Sequence, residues 1–198
     1  MTTNERDKSD ERDERVRHIP YYEFITEDES DDFELDMETG RYHKWVDAYP
    51  DHIYGIFGAI LNYAGDQIDE SDITFFKSKG IDLNESSNVY RSDAGGTTPL
   101  GTSCEFRQPE LATLLVGCGA DPNQADMFGF TPFESVLMGH SLHDQYKVEE
   151  CETMVRTLMS LGTHVHSIKE WIIKDACDEY KESSSFLLNL ISKAEHRA

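Results

Sequence analysis

Three short apolar runs along the chain each end at a glycine. They lie at 73–80, 114–119 and 157–162, with the glycine as the last residue of each. Apolar side chains in such runs can form the buried face of a helix. A residue that is free to take a positive φ can end that helix. The pattern therefore predicts three helices that each stop at a glycine.

Two further segments match each other at a spacing of 33 residues. Segments 93–100 and 126–133 share aspartate, glycine, threonine and proline in the same register. In both, a threonine (Thr98 or Thr131) precedes a proline, and this pair predicts a helix start because the hydroxyl can cap the helix and proline needs no amide hydrogen in its first turn. The aspartate, with glycine three residues later, predicts a tight turn before the helix.

The recurring unit is therefore turn, helix, helix, which indicates a solenoid. These residues resemble the ankyrin repeat, whose pattern runs Asp-x-x-Gly-x-Thr-Pro-Leu-His-x-Ala and closes with Leu-Leu-x-x-Gly-Ala-Asp-x-Asn. The resemblance is strong over 93–123, good over 126–166 and degenerate over about 54–84. It implies an all-α ankyrin-repeat solenoid of helix-turn-helix units with short β-hairpin-like fingers, which typically binds other proteins.

One position departs from the ankyrin pattern in every repeat. The histidine position holds Asn62, Gly101 and Glu134. In the family this histidine ties neighbouring turns together. The resemblance therefore implies that the tie is missing here and that the array is less rigid than usual.

Two regions flank the repeats. Residues 1–45 form an acidic N-terminal segment, which we predict to be partly disordered or to cap the first repeat through apolar residues within 16–25. A linear motif for a partner is the alternative for those apolar residues. Residues 46–198 are predicted to be the ankyrin-repeat domain, in which 167–197 form C-terminal capping helices.

The charge of the chain is strongly asymmetric. Its 39 acidic and 18 basic residues give a formal net charge of −21, and segment 23–38 has nine acidic side chains and no basic one. Such a surface repels nucleic acid and anionic lipid, and it speeds the encounter with a basic protein. A basic protein partner is therefore one hypothesis, and a solvated tail without a partner is the other. The candidate acidic contacts are Glu27, Asp28, Glu29, Asp31 and Asp32.

The turn of the third repeat contains three large apolar side chains. Met127, Phe128 and Phe130 occupy the outward-facing finger positions of the ankyrin pattern. Exposed aromatic and methionine clusters often dominate the free energy of binding at interfaces. We predict that these side chains contact a partner, and the alternative is that enlarged loops fold back over them.

Two insertions enlarge loops of the array, and insertions in repeat proteins can mark binding faces. The segment between Asn84 and Asp93 has six more positions than its counterpart in the next repeat. The third repeat is ten residues longer than the second between its proline and its glycine, and we assign the additional residues to a loop at about 139–147. The candidate contacts in these two loops are Tyr90, Arg91, His140, His143 and Tyr146.

Neither metal binding nor catalysis is predicted. His140 and His143, with His164 and His166, have spacings that zinc ligands use, but nothing in the spacing places the two pairs on one face. No nucleophile elbow, phosphate-binding glycine loop or zinc-protease motif is present. We expect no cofactor, although an enzyme that uses the histidine-bearing insertion remains a third hypothesis.

The four cysteines are widely spaced, which argues against a zinc site and a dense disulfide framework. No apolar run is long enough to cross a bilayer. We therefore expect a cytoplasmic monomer that binds neither nucleic acid nor a membrane. The leading hypothesis is an acidic inhibitor of a basic partner, such as a nuclease toxin (immunity-protein-like) or a nucleic-acid-binding protein, and the alternative is an adaptor or scaffold.

Overall fold

A computed structural model describes part of the 198-residue chain. The described residues are 16–19, 33–36, 42–48, 50, 53–86, 96–138, 145–165, 168–169, 172 and 185–195. The helices are α1 (Tyr42–Ala48), α2 (Ile53–Ala64), α3 (Glu70–Ser78), α4 (Pro99–Glu105), α5 (Pro109–Gly117), α6 (Pro132–Met138), α7 (Gln145–Ser160) and α8 (Ser185–Glu195).

The helices α2 to α7 form the three predicted repeats, in the order α2–α3, α4–α5 and α6–α7. The first helices of successive repeats stack, since α2 packs against α4 and α4 against α6. In the second layer α5 packs against α7. The predicted all-α, ankyrin-like solenoid is therefore confirmed for the three repeats.

The helices begin where the threonine–proline pairs predict. At α4, the Thr98 hydroxyl accepts a hydrogen bond from the Gly101 amide at 3.0 Å. At α6, the Glu134 amide donates to the Thr131 hydroxyl at 3.3 Å, and the Glu134 carboxylate accepts from the Thr131 amide at 2.9 Å. This reciprocal pair is a capping box, which satisfies two amides that the helix itself leaves without partners.

The predicted helix ends are also confirmed. Gly80, Gly119 and Gly162 follow α3, α5 and α7 with φ values of 107°, 107° and 93°. Because side chains disfavour this left-handed region, glycine can turn the chain there at low cost.

A continuous apolar core extends through all three repeats. Phe57 of α2, Leu115 of α5 and Phe133 of α6 are almost completely buried within it. Tyr42 of α1 joins the same core and stacks on Phe76 of α3, with ring centroids 5.5 Å apart. The packed helices therefore begin four residues before the predicted domain boundary at 46.

A two-stranded sheet lies on the N-terminal side of the repeats. Strands β1 (Val16–Ile19) and β2 (Phe33–Asp36) are antiparallel, with Val16 opposite Asp36 and Ile19 opposite Phe33. β1 lies against α2, and β2 lies against α1. The sequence analysis did not predict these strands, and they place part of the N-terminal segment beside the first repeat.

Most of the insertion in the third repeat lengthens a helix. α7 has 16 residues, whereas its counterpart α5 has 9. The prediction of a loop through 147 is therefore wrong for 145–147, and Tyr146 lies in the first turn of α7. The sequence from 145 onward contains neither glycine nor proline until the helix ends, so no residue interrupts it.

The core continues beyond the third repeat. Ile168 and Ile172 are buried, and so are Leu187 and Leu190 of α8. These four side chains are apolar and pack into the same cluster as the repeats.

Candidate protein-binding surface

The tight turn between α5 and α6, which we call the third finger, comprises residues 126–130. One Asp126 carboxylate oxygen accepts hydrogen bonds from the Phe128 and Phe130 amides, both at 2.8 Å. The Asp126 carbonyl accepts from the Gly129 amide at 2.9 Å. The predicted turn is therefore confirmed, and a single aspartate fixes its backbone.

Two of the three apolar side chains predicted at this finger face solvent. Met127 and Phe128 are each 57% exposed. The Met127 amide donates to the Gly96 carbonyl at 3.2 Å, which joins the third finger to the preceding repeat. A Cβ atom at Gly96 would lie 2.0 Å from the Met127 sulfur, so the Met127 side chain packs directly on a bare backbone.

Phe130 has a different environment from Met127 and Phe128. It is partly buried and packs against the apolar core. The Lys169 ammonium lies 4.1 Å from the centroid of its ring, which is within the range of a cation–π interaction. Of the three predicted contact residues, Met127 and Phe128 therefore form the exposed tip, and Phe130 supports it from below.

The glutamate at the family's histidine position forms a tie of its own. The Glu134 side chain is 1% exposed. One carboxylate oxygen accepts from the Thr131 amide at 2.9 Å and pairs with the Lys169 ammonium at 3.1 Å. The other accepts from the Lys169 amide at 2.8 Å. The expectation of a missing tie is therefore wrong for the third repeat, because the Glu134 carboxylate joins the start of α6 to Lys169.

Two asparagines join successive repeats near the helix-ending glycines. The Asn84 side chain accepts from the Asp121 amide at 2.7 Å and donates to the Gly119 carbonyl at 3.4 Å. Asn123 repeats the arrangement one unit later, where it accepts from the His164 amide at 2.6 Å and donates to the Gly162 carbonyl at 3.2 Å. These bonds hold neighbouring repeats in register.

Lys169 and the two asparagines were not predicted as functional residues. The asparagines are visible in the sequence as the last residue of the ankyrin pattern. No spacing rule points to Lys169, because it follows Glu134 by 35 residues and lies outside the repeats.

Most of the other predicted contacts lie outside the described residues. These are Tyr90, Arg91, His140, His143, Glu27, Asp28, Glu29, Asp31 and Asp32. Tyr146 lies in the first turn of α7, the second helix of the third repeat.

Metal and thiol chemistry find little support in the described ranges. No group of three or more histidine, cysteine, aspartate or glutamate side chains there is arranged to hold a metal ion. Burial raises the pKa of the Cys104 thiol, and burial is also the main reason why the pKa of Cys118 is raised. Both thiols are therefore poorer sources of thiolate than an ordinary cysteine. None of the helices in the described ranges combines the length and the apolar character needed to cross a bilayer.

Comparison with known proteins supports the ankyrin resemblance over part of the chain. No protein-family model matches the sequence. A segment of 43 residues is 49% identical to ankyrin repeat domain-containing protein 9 of Mus musculus. The match covers 22% of this chain and 13% of the mouse protein, so the chain spans only a small part of that relative. Together with the three stacked helix pairs, it confirms the predicted ankyrin-repeat character.

Proposed function

We propose that this protein binds a basic protein through its finger side and inhibits it, without catalysing a reaction. Solenoids of this kind present an extended surface to other macromolecules. The observation that favours the proposal is an apolar tip, Met127 and Phe128, on a chain with a net charge of −21.

The tip is suited to anchor a partner because its side chains are exposed and its backbone conformation is fixed before binding. The Asp126 carboxylate holds the amides of Phe128 and Phe130. A preformed turn loses less conformational freedom on binding than a flexible one. Large apolar side chains at the centre of an interface often account for about 2 kcal/mol or more each.

The charge favours a basic partner. A large negative field accelerates encounter with a cationic surface and disfavours nucleic acid and anionic lipid. The acidic residues at 27–32 are the proposed electrostatic contacts. Nucleases and nucleic-acid-binding proteins have cationic sites, so an acidic protein that covers such a site would inhibit them in the manner of an immunity protein.

The test begins with capture of partners by the full chain from a cell lysate at low and high salt. The double variant Met127→Ser, Phe128→Ser is compared with Phe106→Ser. Phe106 is a similarly exposed (51%) apolar side chain, and it caps the C-terminal end of α4. We expect a basic protein whose affinity falls at least about 100-fold in the double variant, as expected for two anchor residues. Phe106→Ser should bind like the wild type.

The second stage is an assay of the captured protein. If its own enzymatic or nucleic-acid-binding activity disappears at a one-to-one ratio with this chain, it is inhibited. Unchanged activity at saturation would contradict inhibition and favour an adaptor. Equal loss of binding in the double variant and in Phe106→Ser would contradict the finger as the anchor.

A further inference from the structure

Lys169 makes three contacts with the third finger and the helix that follows it. Its ammonium donates a hydrogen bond to the Gly129 carbonyl and pairs with the Glu134 carboxylate at 3.1 Å. It also lies 4.1 Å from the centre of the Phe130 ring. One cation thus joins a backbone carbonyl, a buried carboxylate and an aromatic face.

The backbone of Lys169 is held as firmly as its side chain. Its amide donates to the second Glu134 carboxylate oxygen at 2.8 Å. The neighbouring Ile168 is buried in the common core, and so is Ile172. Because its backbone is held in place, Lys169 connects the chain after the third repeat to the third finger.

The contacted residues adjoin the exposed tip. Met127 and Phe128 immediately precede Gly129 and Phe130, which are the finger residues that Lys169 contacts. We infer that Lys169 is a positioning residue, which holds the third finger in the conformation that presents Met127 and Phe128. The binding surface then depends on a residue beyond the last repeat. The inference rests on the proposed function only in giving Met127 and Phe128 a binding role.

A cation is suited to this position for a physical reason. A charged donor forms stronger hydrogen bonds than a neutral one, and its attraction to an aromatic face adds to them. A neutral side chain of the same length would retain the packing of the aliphatic stem but lose all three contacts. Lys169→Met makes that change.

A matched control exists in the array. The Lys77 ammonium also donates to a backbone carbonyl, that of Cys118, at 2.5 Å. This contact joins the first and second repeats and involves no residue of the third finger. Lys77→Met therefore removes an equivalent charge and a similar hydrogen bond.

The experiment uses the full chain with ¹³C-labelled methionine methyl groups, together with amide hydrogen exchange. Met127 reports on the tip, buried Met154 reports on the core, and exposed Met159 reports on the surface of α7. In Lys169→Met we expect the Met127 methyl to move towards its random-coil shift, with Met154 and Met159 unchanged. Amide exchange at Phe128 and Phe130 should rise at least about tenfold, since local opening would become easier. Lys77→Met should leave all of these values as in the wild type.

Three results would overturn the inference. The first is a wild-type Met127 shift and wild-type amide exchange in Lys169→Met. The second is the same change at Met127 in Lys77→Met. The third is loss of the native Met154 shift alongside that of Met127, which would make Lys169 a general stabiliser of the fold. None of these measurements needs a partner, so they test positioning even if the proposed function fails.

Discussion

The second and third repeats begin their first helices with the same threonine–proline pair and then diverge. Three residues after the threonine, the second repeat has Gly101 and the third has Glu134. A Cβ atom at Gly101 would lie 2.4 Å from the Thr97 hydroxyl, so the backbone approaches its neighbour too closely for a side chain there. The first turn of α4 therefore packs tightly on the Thr97 side chain that precedes it.

At the equivalent position the third repeat has a charged side chain, Glu134. The Glu134 carboxylate accepts from the Thr131 amide and from both nitrogens of Lys169. An interior repeat has a similar unit on each side, whereas the last repeat must join a segment of unrelated sequence. The comparison teaches that the joints between successive repeats use asparagine side chains, and that the joint after the third repeat uses an ion pair whose carboxylate is buried.

The largest expected effect follows from removal of that carboxylate. Glu134→Ala deletes the capping box and leaves the Lys169 ammonium without its counter-ion, so we expect a loss of about 3 kcal/mol in the free energy of unfolding. Urea denaturation measures it. Ser135→Ala is the control on the same helix, with an expected change within about 0.5 kcal/mol.

A loss below about 1 kcal/mol in Glu134→Ala would contradict this account. It would mean that the cost of burying the pair cancels its attraction.

The finger glycines of the two repeats provide a second contrast. Gly96 and Gly129 have φ values of 86° and 76°, so alanine is strained at either position. A Cβ atom at Gly96 would also strike the Met127 sulfur, whereas one at Gly129 would meet nothing within 4 Å. We expect Gly96→Ala to cost about 2 kcal/mol and Gly129→Ala about 1 kcal/mol, measured by urea denaturation.

The Met127 methyl resonance should distinguish Gly96→Ala from Gly129→Ala. Gly96→Ala must move the Met127 side chain, so the Met127 methyl resonance should shift in that variant more than in Gly129→Ala. If the two variants lose equal stability and leave that resonance alike, Met127 does not pack on Gly96 in solution.

The repeats could be predicted from the sequence because each unit combines local rules. Threonine before proline starts a helix, and glycine after an apolar run ends it, whatever surrounds them. The exposed tip residues Met127 and Phe128 were predicted in a different way, from the outward-facing finger positions of the ankyrin pattern.

The features that escaped prediction depend on residues that are distant in the chain. Glu134 and Lys169 lie 35 residues apart, and neither residue alone indicates an ion pair. Strand β2 is a different case, because Phe33, Glu34, Leu35 and Asp36 alternate between apolar and acidic residues. That period of two favours a strand, but the acidic run was interpreted only as a surface for a basic partner or as a solvated tail.

The smallest expected effect concerns the helix caps of the same two repeats. The Thr98 hydroxyl accepts from the Gly101 amide at 3.0 Å, and nothing else described caps α4 by a side chain. Thr98→Ala should therefore cost about 1 kcal/mol, the usual value of an N-cap. At α6 the hydroxyl of Thr131 accepts a longer bond from the Glu134 amide, 3.3 Å, and donates to the Glu134 carboxylate at 3.2 Å. The same carboxylate also accepts from the Thr131 amide at 2.9 Å.

Thr131→Ala should accordingly lower the free energy of unfolding by about half as much as Thr98→Ala. The hydrogen bond from the amide of residue 131 to the Glu134 carboxylate does not need the threonine side chain and is retained. Thr113→Ala is the control, since that exposed hydroxyl donates to the Pro109 carbonyl of its own helix, α5, and caps no helix start among the described residues. Urea denaturation of the three variants under one set of conditions measures the difference. Equal losses for Thr98→Ala and Thr131→Ala would show that the Glu134 carboxylate does not secure the helix start, and its contribution to the third repeat would then come from its two contacts with Lys169.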